Sequence, residues 1–266
     1  MMTNINTEPA KVVTFVRDGL IEQEHFGYVV RANKTRVIEK IGEDKNYPFF
    51  LRSCAKPLQA ALMIDYELDK KFNLTEEEIA ICGASHAGEE QHVKLVKSIL
   101  NKFEISPDKL KCGDHEPISK TAQDELLLHR EKPSALHNNC SGKHAMMLGL
   151  CKLNDWDMDN YDNINHPLQQ AIKKRIYELC EIKTEYPITK DGCGVPIHSM
   201  PLANIVKGYL NLFCNPKYER LKSAFLNHAF TIGGENRTET KVFAESNGLS
   251  GKVGAGGLCV VIKTEV

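Results

Sequence analysis

This sequence has no excess of either charge. Its 34 Lys and Arg stand against 35 Asp and Glu, for a formal net charge of −1. No basic stripe interrupts that balance, which excludes a nucleic-acid binder held by phosphate contacts. Long hydrophobic runs are also missing. Apolar stretches such as Leu202–Val206 fall far short of the ~20 residues a membrane-spanning helix requires. The opening residues, Met1 to Pro9, lack both the charged and the apolar parts of a signal peptide, so residues 1–10 are expected to form a flexible polar tail. There is no internal repeat and no low-complexity linker, which leaves residues 11–266 as one domain. An even set of cysteines is absent too. Nine thiols without a secretory signal point to reduced cysteines in the cytoplasm rather than a disulfide framework.

What is present is ordinary for a globular protein, at 42% apolar and 26% charged residues. Strand-like segments open the chain at Lys11–Val16, Phe26–Ala32 and Lys34–Ile41, with Asn33 as a turn residue. Helical periodicity predicts helices over Cys54–Phe72, from Thr75 with a capping box, and over Glu89–Phe103, Thr121–Arg130 and Ser141–Leu153. Pro167, Pro201 and Pro216 mark further helix entries, leading His166–Cys180, Pro201–Cys214 and Pro216–Phe230. A glycine-rich turn, Gly251–Gly257, precedes a closing strand, Leu258–Ile262. Strands at both ends with helices between predict an α+β, or α-β sandwich, architecture: one antiparallel-rich sheet with flanking helices and a helical subdomain.

Two segments place thiols where packing cysteines are not expected. In His137-Asn-Asn-Cys140-Ser-Gly-Lys143-His144 and Asp191-Gly-Cys193-Gly194 the neighbours are glycines and polar side chains. Cys140 and Lys143 share a face on a helical turn, and with Cys193 they form a possible metal site. Thiolates select zinc, and three protein donors with an open position describe a catalytic-type zinc site. Lysine is an unusual ligand, so His144 or His137 is an alternative third donor, and a redox pair of thiols is another reading.

Ser53-Cys-Ala-Lys56, followed by Pro57, sets an amine one turn from a hydroxyl at a helix start. The pattern alone is weak: about one chance match is expected in a chain of this size, and Ser106-Pro-Asp-Lys109 is such a decoy. Ser85 in Ser85-His86-Ala87-Gly88 is either a second reactive hydroxyl or a helix cap. Lys252 sits among glycines that permit close approach to a ligand. Arg52 suits a carboxylate clamp. Asp191 suits a ligand-orienting role, a substrate ammonium or a plain turn. Arg237 either binds substrate or pairs with Glu239.

Taken in order, Arg52–Pro57, Cys82–His86, Asn139–His144, Asp191–Gly194 and Lys252–Ala255 resemble the rhizobial-type L-asparaginases, and Glu22–Gly27 resembles that family's opening. The resemblance runs from about Val13 to the C-terminus and implies a fold like the serine β-lactamases and penicillin-binding proteins. It implies hydrolysis of the side-chain amide of L-asparagine, with Ser53 paired to Lys56 and Ser85 to Lys252. Ser53 is expected as nucleophile with Lys56 as its base. Zinc is implied on Cys140, Lys143 and Cys193, with substrate contacts from Arg52, His86, Asp191 and Arg237. A homodimer is the expected assembly. Family members continue beyond the Gly-Ala turn through further strand and a helix, so a chain ending at Val266 is expected to lack the family's C-terminal end and leave an open strand edge. The competing readings are a Ser–Lys acyl hydrolase of peptides or β-lactams, and an inactive asparagine-binding protein. The Lys-Thr-Gly and Ser-x-Asn elements of penicillin-type enzymes are not found; Lys263-Thr264 is followed by Glu265.

Overall fold

A computed structural model describes residues 7–264. The N-terminal part alternates strands: β1 (Ala10–Arg17), β2 (Leu20–Gly27), β3 (Val29–Ala32), β4 (Val37–Ile41) and β5 (Phe49–Phe50). Helices α1 (Lys56–Asp65), α2 (Leu68–Lys71), α3 (Glu76–Cys82), α4 (Glu90–Lys102), α5 (Lys120–His129), α6 (Ser141–Leu153) and α7 (Pro167–Leu179) follow. Strands β6 (Ile188–Lys190) and β7 (Pro196–Met200) come next, then α8 (Leu202–Phe213), α9 (Glu219–Asn227), α10 (Ala229–Gly233) and α11 (Thr238–Glu245). The hairpin β8 (Leu249–Val253) and β9 (Cys259–Lys263) closes the described chain. This is an α+β protein.

The single sheet expected from the sequence is not formed. Strands pair instead into four small antiparallel sheets, β1–β2, β3–β4, β5–β7–β6 and β8–β9. The physical reason is length. β3, β5 and β6 have only four, two and three residues, too few to carry ladders across to a neighbouring hairpin. The strand expected over Phe26–Ala32 is split at Tyr28, its two parts joining different hairpins. Residues 1–6 of the expected tail lie outside the described residues. Within the remainder, Glu8 and Glu43 exchange backbone hydrogen bonds of 2.9 and 2.8 Å, and β1 starts at Ala10. The β1–β2 ribbon exposes Phe15, Val16, Leu20, Ile21 and Phe26. A groove of about 1120 Å³ lies over Ile205, Tyr209 and Phe213 of α8, between β3 and β9.

Local chemistry accounts for the helix starts. Thr75 Oγ1 accepts from the Glu78 N–H at 3.2 Å, and Glu78 Oε2 accepts from the Thr75 N–H at 2.7 Å, the reciprocal capping box expected there. Asn33 Oδ1 accepts from the Thr35 and Arg36 N–H groups and so makes the β3–β4 turn. The helix expected over Cys54–Phe72 is instead a 3-10 turn (Arg52–Ala55), α1 and α2, broken where Glu67 adopts φ +54°. The one expected over Pro216–Phe230 is likewise divided, with His228 at φ −122° between α9 and α10. Gly251–Val253, expected within a turn, belongs to β8.

The core joins α1, α3, α6, α7, α8 and α9 through buried residues such as Leu58, Met63, Ile81, Met146, Ile172, Tyr209 and Phe225. One close backbone approach shapes the centre of the molecule. A Cβ on Gly142 would lie 2.2 Å from the Ile81 carbonyl oxygen, so only glycine lets the start of α6 press against the end of α3. The segment before α6 thereby shares the Lys56 amine with the segment after α3, through Asn139 on one side and Ala84 and Ser85 on the other. Among the described residues, no helix is long and apolar enough to cross a membrane.

Candidate active site

Three chain segments converge on the Lys56 amine. Lys56 opens α1 and is 1% exposed. Its Nζ lies 2.7 Å from the Ala84 carbonyl, 3.0 Å from the Asn139 carbonyl and 2.9 Å from Ser85 Oγ. Three acceptors satisfy an ammonium. They also suit the neutral amine, whose two N–H groups serve the carbonyls while its lone pair takes the Ser85 hydroxyl hydrogen. Burial lowers the Lys56 pKa, with Lys143 adding repulsion, so the neutral form is within reach.

This arrangement corrects the expected pairing. Ser85 meets Lys56, not Lys252. Lys252 Nζ donates to the Val253 carbonyl at 2.9 Å, and among the described residues no hydrogen bond joins Ser53 to Lys56. Lys252 is nonetheless part of the neighbourhood, since the Cys54 thiol beside Ser53 donates to the Lys252 carbonyl at 3.1 Å. Burial, then the charge on Lys56, brings the Lys252 pKa down to about 7. Arg52, just before Ser53, holds φ +46°, a strained backbone at the entry to the 3-10 turn.

The two thiol segments meet as their composition suggests. Lys143 Nζ donates to Cys193 Sγ at 3.0 Å, and Cys193 Sγ lies 4.0 Å from Asp191 Oδ2. The neighbouring Cys140 thiol and the Lys143 ammonium hold Cys193 down to about 4 against burial, while Cys140, whose thiol donates to Asn139 Oδ1 at 3.1 Å, is pushed up to about 12. Burial disfavours the Lys143 charge, but the two sulfurs outweigh it and raise its pKa. Among the described residues no three His, Cys, Asp or Glu side chains form a metal cluster, so a metal here needs the Lys143 amine as third donor. Two sulfurs and one nitrogen, with a thiolate already favoured, fit zinc; the amine must lose its proton on binding. His144 is not that donor through Nδ1, which is bonded to Tyr161 Oη at 2.7 Å, and His137 Nδ1 is taken by Ser134 at 3.1 Å.

Arg52 Nε donates to Asp191 Oδ1 at 3.0 Å, beside Cys193. Burial pushes the Asp191 carboxyl up, but Lys143 and Arg52 outweigh it and hold the carboxylate below its usual range. A cation and an anion side by side match the two ends of an α-amino acid. Arg237 donates to Glu239 Oε1 at 3.1 and 2.8 Å, the plain pairing among its two readings.

His86 needs a correction as a substrate contact. It is fully buried and both ring nitrogens are engaged. Nδ1 accepts from the Gly88 N–H at 3.2 Å, and Nε2 donates at 2.9 Å to Ser141 Oγ, whose own hydrogen goes to the Leu136 carbonyl. His86 therefore fixes the segment next to Ser85 onto the start of α6. The carbonyls of Ala84 and Asn139 are functional groups that residue types never signal, because every residue carries one.

A sequence model of the family described as L-asparaginase II matches residues 13–266. No curated protein matches the chain.

Proposed function

We propose that this chain, which belongs to the L-asparaginase II family and is an L-asparaginase, hydrolyses the side-chain amide of L-asparagine with a hydroxyl activated by a buried lysine. The observation that carries the reading is the 2.9 Å contact between Lys56 Nζ and Ser85 Oγ, with two carbonyls fixing the amine's remaining hydrogens. Lys56 accepts the hydroxyl proton as Ser85 oxygen bonds to the amide carbon. It then returns that proton to the leaving nitrogen, and ammonia departs. Water, deprotonated in turn by the same amine, cleaves the acyl-serine to give aspartate. Lys252, with a pKa of about 7, lies close by, its carbonyl accepting from the Cys54 thiol next to Ser53. Arg52 and Asp191 part to hold the substrate's carboxylate and ammonium.

Cys140, Lys143 and Cys193 would hold zinc, which supplies a Lewis acid to polarise or orient the substrate. The projecting β1–β2 ribbon, with Phe15, Leu20 and Ile21 in solvent, is the surface a homodimer would cover. Nine free cysteines, most of them buried, suit a reducing cytoplasm.

The deciding measurement is ammonia release from L-asparagine by the wild type, Ser85→Ala and Ser53→Ala. The reading requires Ser85→Ala to lose activity by about 10³-fold or more. Wild-type turnover in Ser85→Ala with loss in Ser53→Ala would move the nucleophile to Ser53. Elemental analysis of wild type and Cys193→Ala tests zinc, and light scattering of Phe15→Glu tests the dimer.

A further inference from the structure

A second buried pair lies behind Ser85 and takes no part in the chemistry of the Lys56 amine. His92, in the first turn of α4, is fully buried, its ring stacked against His86 (centroids 5.1 Å, 18°) and Phe230 (5.0 Å, 12°). Its Nε2 is 3.1 Å from the Phe230 carbonyl oxygen. A carbonyl only accepts, so Nε2 carries the ring hydrogen. Nδ1 then presents a lone pair. It has no hydrogen-bond partner and faces Glu89 Oε2 at 3.5 Å, an oxygen that is itself buried and unpartnered.

An ionised carboxylate there would set two lone pairs against each other out of water, a costly arrangement. One additional proton removes the conflict. Burial favours the uncharged form of both groups: it raises the Glu89 pKa and lowers that of His92 to about 4. The other groups facing Glu89 are the Glu235 and Glu125 carboxylates, which also disfavour its charge, and the Glu235 N–H and Ser119 hydroxyl, which oppose them. On the far side of His92, His86 is neutral with both nitrogens engaged. The proton therefore belongs on the Glu89 carboxyl.

Its other oxygen has a separate task. Glu89 Oε1 accepts from the Glu235 N–H at 3.0 Å, at a turn where Gly234 holds φ +112°. A Cβ on Gly234 would lie 2.5 Å from Ala87 Cβ, and the Ser85 N–H donates to the Ile232 carbonyl at 3.0 Å. The loop over residues 232–237 is thus fastened to the very segment that carries Ser85.

We propose that Glu89 is a positioning residue for the asparaginase reaction, held as a neutral acid whose hydroxyl is directed at His92 Nδ1 while Oε1 latches the 232–237 loop to the Ser85 segment. The role rests on the reading of Ser85 as the attacking hydroxyl. Loss of the proton would set a bare carboxylate against the His92 Nδ1 lone pair and beside the Glu235 and Glu125 carboxylates.

Glu89→Gln keeps both contacts of the neutral acid, with its carbonyl for the Glu235 N–H and its NH₂ for His92 Nδ1. It is expected to retain kcat/KM within about threefold, whereas Glu89→Ala raises KM by about tenfold or more. In wild type at pH 7, the His92 ¹⁵N spectrum should show one protonated nitrogen, Nε2, and the Glu89 ¹³C carboxyl should resonate as the acid. Two protonated nitrogens on His92, an ionised Glu89 carboxyl, or a Glu89→Gln enzyme as impaired as Glu89→Ala would each overturn the proposal. The spectra do not depend on turnover, so an active Ser85→Ala enzyme would refute the nucleophile assignment while leaving the proton placement standing.

Discussion

Replacing Lys252 by Met should make the protein more stable and less active at once, with a pH dependence that identifies the cause. Lys252 is 1% exposed, and burial brings its pKa from 10.5 to about 7. The folded pKa is depressed, so between pH 7 and 10.5 the unfolded chain binds more protons, and stability rises with pH across that window. Below pH 7 both states carry the charge, and keeping it buried costs about 5 kcal/mol at 1.36 kcal/mol per pH unit. Met fills similar volume without charge but leaves the Val253 carbonyl without its donor, a loss of about 1–2 kcal/mol. The net expectation is a gain of about 3 kcal/mol for Lys252→Met at pH 6, falling to about 0.5 kcal/mol at pH 9. Urea unfolding at both pH values, followed by circular dichroism, measures the gap. Ammonia release should fall with the same substitution, as is common where a strained functional group is removed. A gap that does not shrink between pH 6 and pH 9, or a Met variant less stable at pH 6, would refute the assignment of a desolvated amine at this position.

Gly142→Ala should destabilise by about 2 kcal/mol or more, because its Cβ would meet the Ile81 carbonyl at 2.2 Å and α6 would have to shift away from α3; thermal unfolding and ammonia release should decline together. Asp191→Asn should raise KM for L-asparagine by about tenfold or more with a smaller change in kcat, since it weakens the Arg52 pairing and the ammonium site without touching Lys56. Thr75→Ala should cost about 1 kcal/mol of stability through the lost capping box, read as a lower urea midpoint at unchanged activity.

Much of the local structure is legible in the sequence because it is specified locally. The capping box at Thr75, the Asn33 turn and the start of α6 after Cys140 each depend on residues within a turn of one another. The sheets are not legible in this way because pairing is decided at long range. Phe49–Phe50 reads as nothing in particular, yet it pairs with Ser199–Met200, about 150 residues away. The helix expected over Cys54–Phe72 runs too far because a left-handed Glu67 leaves no mark in apolar periodicity. In the site, the convergence of Cys140, Lys143 and Cys193 follows from their unusual neighbours. The partner of Lys56 does not, since Ser53 at three residues' distance is the nearer choice in sequence and Ser85 the nearer in space.

The sequence by itself determined the family and several helix starts set by caps and prolines, because these rest on side-chain identity and short-range geometry. Only the tertiary structure decided which hydroxyl meets which amine, that His86 is consumed by internal hydrogen bonds, that Arg52 and Asp191 face each other, and that one proton must sit between Glu89 and His92. Those are matters of burial and of donors counted against acceptors. Neither exists until the chain has closed around them.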